Sequence, residues 1–85
     1  MEVTYAVKAQ EDLDFWKKSG QKSIQQKIDV LIADILLHPK TGKGKPEELK
    51  HQYSGCWSRR INYKHRIIYK IVNETIVVLS LKGHY

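Results

Sequence analysis

Residues 24–39 read IQQKIDVLIADILLHP, and this stretch decides the fold. Its apolar residues occupy the i, i+4, i+7, i+8, i+11 and i+12 positions of one helical face. They are Ile24, Ile28, Leu31, Ile32, Ile35 and Leu36. Pro39 ends the helix, because proline disfavours helical geometry in the residue before it. A helix with one apolar face buries that face against a second layer of structure.

The segment before this helix predicts a strand and another helix. Apolar and polar side chains alternate over residues 3–7, which is typical of a short strand. Ala9, Leu13 and Trp16 then recur at helical spacing, and Gly20 suits the C-terminal cap.

The segment after it predicts the second layer. Residues 39–52 are polar and interrupted by glycine and proline, which indicates a loop. Three runs rich in β-forming residues follow, at 53–62, 65–72 and 75–82. Their short connections favour an antiparallel meander. The order β-α-α-β-β-β predicts an α+β fold, with two N-terminal helices packed on a small antiparallel β-sheet.

The length of 85 residues has room for one hydrophobic core, so we expect a single domain over residues 1–85. Adjacent apolar pairs at 67–68 and 71–72 predict that the middle strand of the meander is covered on both faces. The helices would cover one face, and a partner protein could cover the other.

The net charge of +6 is concentrated in the middle of the chain. Residues 1–39 carry five Lys and six Asp or Glu, whereas residues 40–70 carry nine Lys or Arg and two Glu. Such clustering suits a polyanion, either nucleic acid or an acidic protein segment. The alternative is a solvated basic surface that serves solubility.

The sequence lacks the patterns of a membrane span, a signal peptide, a disulfide and a zinc site. The longest apolar run, at 76–79, is far too short to cross a membrane, and the first residues lack the pattern of a signal peptide. Cys56 is the single cysteine, so no internal disulfide forms, and no Cys/His set has zinc spacing. We therefore expect a cytoplasmic protein that needs no metal or cofactor.

The basic half contains the residue types that metal-independent RNA cleavage requires. That reaction needs a base for the ribose 2′-hydroxyl, an acid for the departing 5′-oxygen, and cations for the phosphorane. Glu47 or Glu48 could be the base, and His84 could be the acid because imidazole titrates near neutrality. Arg60 and Arg66 could bind the phosphate, since a guanidinium donates to phosphate oxygens in bidentate fashion.

Other features of this half have both functional and ordinary explanations. Tyr85 or Trp57 could stack on a base, although Trp57 is more often a packing residue and a chain end is often frayed. The glycine–lysine run at 42–45 could be a simple solvated loop. It lacks the spacing of a P-loop and does not precede a helix, which excludes nucleoside triphosphate binding.

The faces of the strands are only partly predictable. Residues of the same parity share a face, so Ser58 and Arg60 lie together, as do Lys82 and His84. Arg66 joins Arg60 only if the hairpin loop has the right length, because a one-residue slip moves every side chain to the other face. The sequence leaves that register open.

At these residues the chain closely resembles the YoeB/Txe family of toxins, within the wider RelE/ParE superfamily. The matching motifs are GKGKPE at 42–47, LKH at 49–51, SG at 54–55, WSRRI at 57–61, HR at 65–66, Tyr69, and HY at 84–85. The resemblance covers essentially the whole chain. It implies a RelE-like microbial ribonuclease fold and an endoribonuclease that cleaves mRNA in the A site of the 70S ribosome.

The resemblance also implies a role for individual residues. Glu47 matches the general base, His84 the general acid and Arg66 the arginine that stabilises the transition state. The implied substrate-binding residues are Lys45, Lys50, Arg60 and Tyr85. The implied reaction is attack by the 2′-hydroxyl, which leaves a 2′,3′-cyclic phosphate without any metal.

The partners implied are those of a type II toxin–antitoxin system. The antitoxin would be a small YefM-like or Axe-like protein whose acidic C-terminal segment wraps the toxin, which suits the basic surface. A homodimer is compatible with the resemblance, and no membrane is involved. The alternative is a ParE-like toxin that inhibits DNA gyrase without cutting RNA, and such a toxin would need neither Glu47 nor His84.

Overall fold

The computed structural model describes residues 1–83. The elements are β1 (Glu2–Tyr5), α1 (Val7–Ser19), α2 (Lys22–Leu37), β2 (Glu47–Glu48), β3 (Cys56–Arg60), β4 (Arg66–Val72) and β5 (Thr75–Ser80). The five strands form one sheet in the order β1-β5-β4-β3-β2. β1 runs parallel to β5, and the other neighbours are antiparallel. The predicted α+β fold with two N-terminal helices on a sheet is confirmed.

The hydrophobic core lies between the two helices and one face of the sheet. The apolar stripe predicted on α2 contributes Ile28, Leu31 and Ile35, and α1 contributes Ala9 and Trp16. The core consists of Ala9, Trp16, Ile28, Leu31, Ile35, Ile61, Ile67, Tyr69, Ile76, Val78 and Leu81. We call the face of the sheet that meets the helices the inner face, and the opposite one the outer face.

The boundaries of the predicted elements differ in three places. Val7 is not the end of a strand but the first residue of α1, where its side chain is 70% exposed. The predicted loop 39–52 contains the two-residue strand β2. The first of the three predicted β runs, at 53–62, begins later than expected, because His51–Tyr53 form a 3₁₀ turn and Gly55 turns the chain at φ +90° before β3 starts.

The middle strand β4 is buried on both faces over part of its length. Ile67 and Tyr69 face the helices, and Ile68 is only 4% exposed on the outer face. There Ile68 lines one depression together with Tyr53 and Leu79. Val72, the last residue of β4, is exposed, so its predicted cover by a partner protein stays a prediction.

No helix within the described part of the chain is long and apolar enough to span a bilayer.

Substitution of Leu31 tests whether the apolar face of α2 lies in the core. Leu31 is fully buried. Its replacement by Ala should lower the free energy of unfolding by about 2–5 kcal/mol, because the change leaves a cavity. The matched control is Leu37→Ala, since Leu37 lies on the same helix but is 75% exposed. That variant should stay within about 0.5 kcal/mol of wild type. Urea unfolding measures both, and equal losses in the two variants would contradict the packing described.

Candidate active site

The strand register gathers four polar residues on the outer face. Arg60 pairs directly with Arg66, and Glu47 pairs directly with Ser58. Directly paired residues share a face, and Ser58 shares the parity of Arg60. Arg59, between them, points to the helices and is fully buried. Glu47, Ser58, Arg60 and Arg66 therefore form one group, which we call the outer-face cluster.

The loop between β3 and β4 sets this register, which the sequence leaves open. The side-chain oxygen of Asn62 accepts hydrogen bonds from the backbone N–H groups of Lys64 (2.9 Å) and His65 (2.7 Å). The N–H of Ile61 also donates to the carbonyl of His65 at 2.9 Å. These bonds close the loop at the length that places Arg66 opposite Arg60.

The same register separates the two neighbouring glutamates. Glu48 pairs with Trp57, so it lies on the opposite side of β2 from Glu47. Trp57 packs against the core on the inner face, which rules it out as a stacking surface beside the arginines. Of the two candidate bases, only Glu47 joins the outer-face cluster.

The two predicted lysines lie on either side of Glu47, and both are exposed. Lys45 follows Gly44, whose carbonyl accepts a hydrogen bond from the N–H of Arg60 at 2.7 Å. Lys50 lies beyond the other end of β2, toward the start of β3. The structure therefore brings Lys45 close to Arg60 and leaves Lys50 farther along the edge of the sheet.

The C-terminal segment returns to the start of β4. The N–H of Arg66 donates to the carbonyl of Gly83 at 3.0 Å, and the N–H of Gly83 donates to Nδ1 of His65 at 2.8 Å. Gly83 is the last described residue; the predicted acid His84 and the predicted stacking residue Tyr85 lie outside the described residues.

Helix α1 fixes the path by which the chain reaches Gly83. The N–H of Leu81 donates to the buried carboxylate of Asp12, and the indole N–H of Trp16 donates to the carbonyl of Leu81, both at 2.9 Å. The ring of Trp16 also meets the ring of His65 edge-on, with centroids 4.9 Å apart. The segment that leads to the chain end is therefore held by α1 and β4 together.

Arg59 is a buried structural residue for which the sequence analysis has no role. Its Nη1 donates to Oδ2 of Asp34 at 2.5 Å, and its Nε donates to the hydroxyl of Tyr69 at 3.2 Å. Its remaining partners are the carbonyls of His38, Thr41 (2.8 Å) and Lys43 (3.1 Å). Its position in the strand indicates its orientation, because Arg59 is two residues from both Trp57 and Ile61 and therefore lies on the same face, which meets the core.

These contacts hold the glycine–lysine loop in place. The carboxylate of Asp34 accepts a further hydrogen bond from the N–H of Lys43 at 3.0 Å. Gly42 and Gly44 have positive φ angles and lie so close to α2 and β3 that neither has room for a Cβ atom. The loop that leads to Lys45 and Glu47 is thus pinned at several points, unlike the simple solvated loop weighed above.

The pKa of Asp34 lies below its ordinary value. The largest cause is the hydrogen bond from the backbone N–H of Lys43, followed by the bond from the guanidinium of Arg59. Partial desolvation opposes the shift. Burial also raises the pKa of the Tyr69 hydroxyl, which donates to the carbonyl of Pro39 at 2.7 Å and so remains a donor at neutral pH.

The side chains of Glu47, Arg60 and Arg66 make no hydrogen bond or ion pair with other residues in 1–83. In the same range, no group of three His, Cys, Asp or Glu side chains could hold a metal ion. The outer-face cluster therefore offers one carboxylate and two guanidinium groups to a ligand.

Comparison with known proteins identifies the family. The model of the YoeB-like toxin of bacterial type II toxin–antitoxin systems matches residues 5–85. The chain belongs to this family. The YoeB toxin of Escherichia coli K12 is 38% identical to this YoeB-like toxin, over the full length of both chains.

Solved structures agree with this assignment. The YoeB/ParE toxin from Agrobacterium tumefaciens superimposes with a TM-score of 0.95 at 32% identity, with full coverage of both chains. The YoeB–YefM complex from Staphylococcus aureus matches with a TM-score of 0.89 at 35% identity, covering 100% of this chain and 98% of that one. YoeB of that organism has also been solved as a dimer.

Acid should weaken the folded toxin through Asp34. A carboxylate whose pKa is lower in the folded than in the unfolded chain contributes stability above its unfolded pKa of about 4 and loses it as the pH falls. The urea midpoint of the wild type should therefore drop between about pH 5 and pH 2. Asp34→Asn should start lower at neutral pH and lack this part of the drop. The exposed Asp29→Asn serves as control, and a wild-type pH profile in Asp34→Asn would contradict the assignment.

Gly42→Ala should destabilise the toxin more than Gly55→Ala. Both residues have positive φ. That conformation costs a residue with a Cβ atom roughly 1–2 kcal/mol. Only at Gly42 would the new Cβ also overlap Oδ2 of Asp34, a carboxylate that Lys43 and Arg59 hold in place. Thermal unfolding compares the two variants, and equal melting temperatures would show that the loop yields to the methyl group.

Proposed function

We propose that this toxin is an endoribonuclease that cleaves mRNA in the ribosomal A site. The observation that carries the proposal is the outer-face cluster, in which the carboxylate of Glu47 and the guanidinium groups of Arg60 and Arg66 share one face of the sheet. Glu47 and Arg66 lie on strands separated only by β3. Glu47 lies level with Ile68, two residues along β4 from Arg66. Two strand spacings and this offset amount to roughly 12 Å, so side chains of this length can reach a common ribose–phosphate linkage.

The arginine pair supports an anionic substrate. Like charges directly opposite each other on neighbouring strands are unfavourable, yet Arg60 and Arg66 form such a pair without a carboxylate partner in residues 1–83. A bound phosphate would relieve their repulsion and accept bidentate hydrogen bonds from both. Arg59 contributes nothing to this surface, because Asp34 neutralises it in the interior.

The proposed reaction needs only groups of this chain and the RNA. Glu47 takes the proton of the 2′-hydroxyl while that oxygen attacks the adjacent phosphorus. Arg66 and Arg60 stabilise the charge that develops on the phosphorane oxygens. His84 gives a proton to the departing 5′-oxygen, which leaves a 2′,3′-cyclic phosphate and a 5′-hydroxyl. The role of His84 is supported by its neighbour Gly83, whose carbonyl accepts a hydrogen bond from the backbone N–H of Arg66.

Three further residues would bind the substrate. Lys45 lies beside Arg60 and suits a phosphate next to the scissile one. Lys50 suits a phosphate farther along the strand, and Tyr85 would stack on a base. The three thus extend the contact beyond one linkage.

The proposed partners follow from the same surface and from the relatives. An antitoxin like YefM would bind through an acidic C-terminal segment and neutralise the toxin, as the Staphylococcus aureus complex suggests. A homodimer is proposed by analogy with the YoeB dimer of that organism. The single domain 1–85 would act on 70S ribosomes in the cytoplasm.

Glu47→Ala should reduce cleavage of ribosome-bound mRNA by about 10²–10⁴-fold, the usual contribution of a general base. His84→Ala should show a loss of the same order. Glu48→Ala is the matched control, because Glu48 lies on the other side of β2, and its rate should stay within a few-fold of wild type. Mapping of transcript ends measures all three.

Wild-type cleavage by Glu47→Ala would overturn this proposal. Growth arrest with intact mRNA and inhibited DNA gyrase would favour the ParE-like alternative instead.

A further inference from the structure

Ser58 is the least expected member of the outer-face cluster. Its side chain is 1% exposed, and its hydroxyl has no hydrogen-bond partner among residues 1–83. A buried hydroxyl without a partner is unfavourable, because it has lost its bonds to water and gained none in return. An alanine at this position would avoid that cost. The hydroxyl therefore points to a partner that it acquires in another state of the protein.

The neighbours of Ser58 on the outer face identify that partner. Glu47 on β2 and Ile68 on β4 are the residues that pair directly with Ser58. Cys56 and Arg60 flank it along β3 on the same face. Among these four, Glu47 alone has a strong acceptor. Paired residues have Cβ atoms about 4.5–5.5 Å apart, so a carboxylate that folds back along the sheet reaches the hydroxyl.

We infer that Ser58 is a positioning residue whose hydroxyl donates a hydrogen bond to the carboxylate of Glu47 when RNA occupies the site. The inference rests on the proposed function, in which Glu47 is the base. In the free protein Glu47 is exposed, and water satisfies its oxygens. Bound RNA excludes that water, and the carboxylate then turns toward Ser58. Hydrogen bonds of catalytic groups are often loose before the substrate binds and tighten in the complex.

This role gives Ser58 opposite effects on stability and on activity. Ser58→Ala removes an unsatisfied hydroxyl, so the urea midpoint should be equal to or higher than that of wild type. The same variant should lower kcat for ribosome-bound mRNA by roughly ten- to hundredfold, as expected for a lost hydrogen bond to a charged group. KM should stay within about twofold, because a positioning residue acts on the reacting geometry and leaves uniform binding unchanged. A purely structural serine would show the reverse, a lower midpoint with a normal kcat.

Two comparisons separate the effect of the Ser58 hydroxyl group from the effect of side-chain volume. Ser54→Ala, in the exposed turn before β3, is the control and should leave both the midpoint and kcat unchanged. Ser58→Thr and Ser58→Val have nearly the same shape, and only the first keeps a hydroxyl. Any strain from the added methyl group is common to both, so the kcat of the Thr variant should exceed that of the Val variant by the same ten- to hundredfold.

Binding shows whether Ser58 acts through Glu47 or contacts RNA itself. The probe is a ribosome-bound mRNA with a 2′-deoxy residue at the cleavage position, which cannot be cut. Ser58→Ala should bind this complex with wild-type affinity. A loss of affinity as large as the loss of rate would overturn the positioning role, and so would a normal kcat in Ser58→Ala or equal rates for the Thr and Val variants.

The inference can fail separately from the proposed function. A normal rate in Ser58→Ala beside an inactive Glu47→Ala would remove the inference and leave the ribonuclease assignment intact. Wild-type cleavage by Glu47→Ala would remove both.

Discussion

The ion pair between Arg59 and Asp34 is the interaction on which the rest of this structure depends. It lies where α2, β3 and the glycine–lysine loop meet. The guanidinium also donates hydrogen bonds to three backbone carbonyls in the segment that follows α2. Loss of Asp34 would leave the fully buried guanidinium without a counter-charge, which is far more costly than loss of a surface pair. These contacts fix the path of the loop, so Glu47 enters β2 from a defined direction.

The chemistry of the outer face comes from pairing rather than from any single motif. Glu47 and Arg66 are far apart in the sequence, and each reaches the cluster through a register partner on β3, Ser58 or Arg60. Bonds from Asn62 set the length of the β3–β4 loop and hence one of these two pairings. The candidate site is thus an outcome of the backbone hydrogen-bond pattern of three neighbouring strands.

The sequence predicts the large elements well, because periodicity reports on burial. The stripe on α2 and the β-forming runs of the meander depend on many residues each, so small errors average out. The sequence does not predict β2, because two residues are too few to show an alternating pattern and their pairing with β3 is what makes them a strand. Arg59 shares the parity of the core residues Trp57 and Ile61, but parity alone does not predict its burial, since a charged residue is rarely buried without a partner. That partner, Asp34, lies 25 residues away in the sequence and meets Arg59 only through the packing of α2 on β3.

The number of residues that lead into β2 determines which of the two glutamates faces the arginines. Between Pro39 and Glu47 the chain spans a pinned path, and successive residues of β2 face opposite sides of the sheet. Loss of one residue in that interval, with the pairing of β2 and β3 retained, would turn Glu47 inward and place Glu48 opposite Ser58. Such a deletion would exchange the positions of the two carboxylates, so the outer face would still hold one glutamate opposite Ser58.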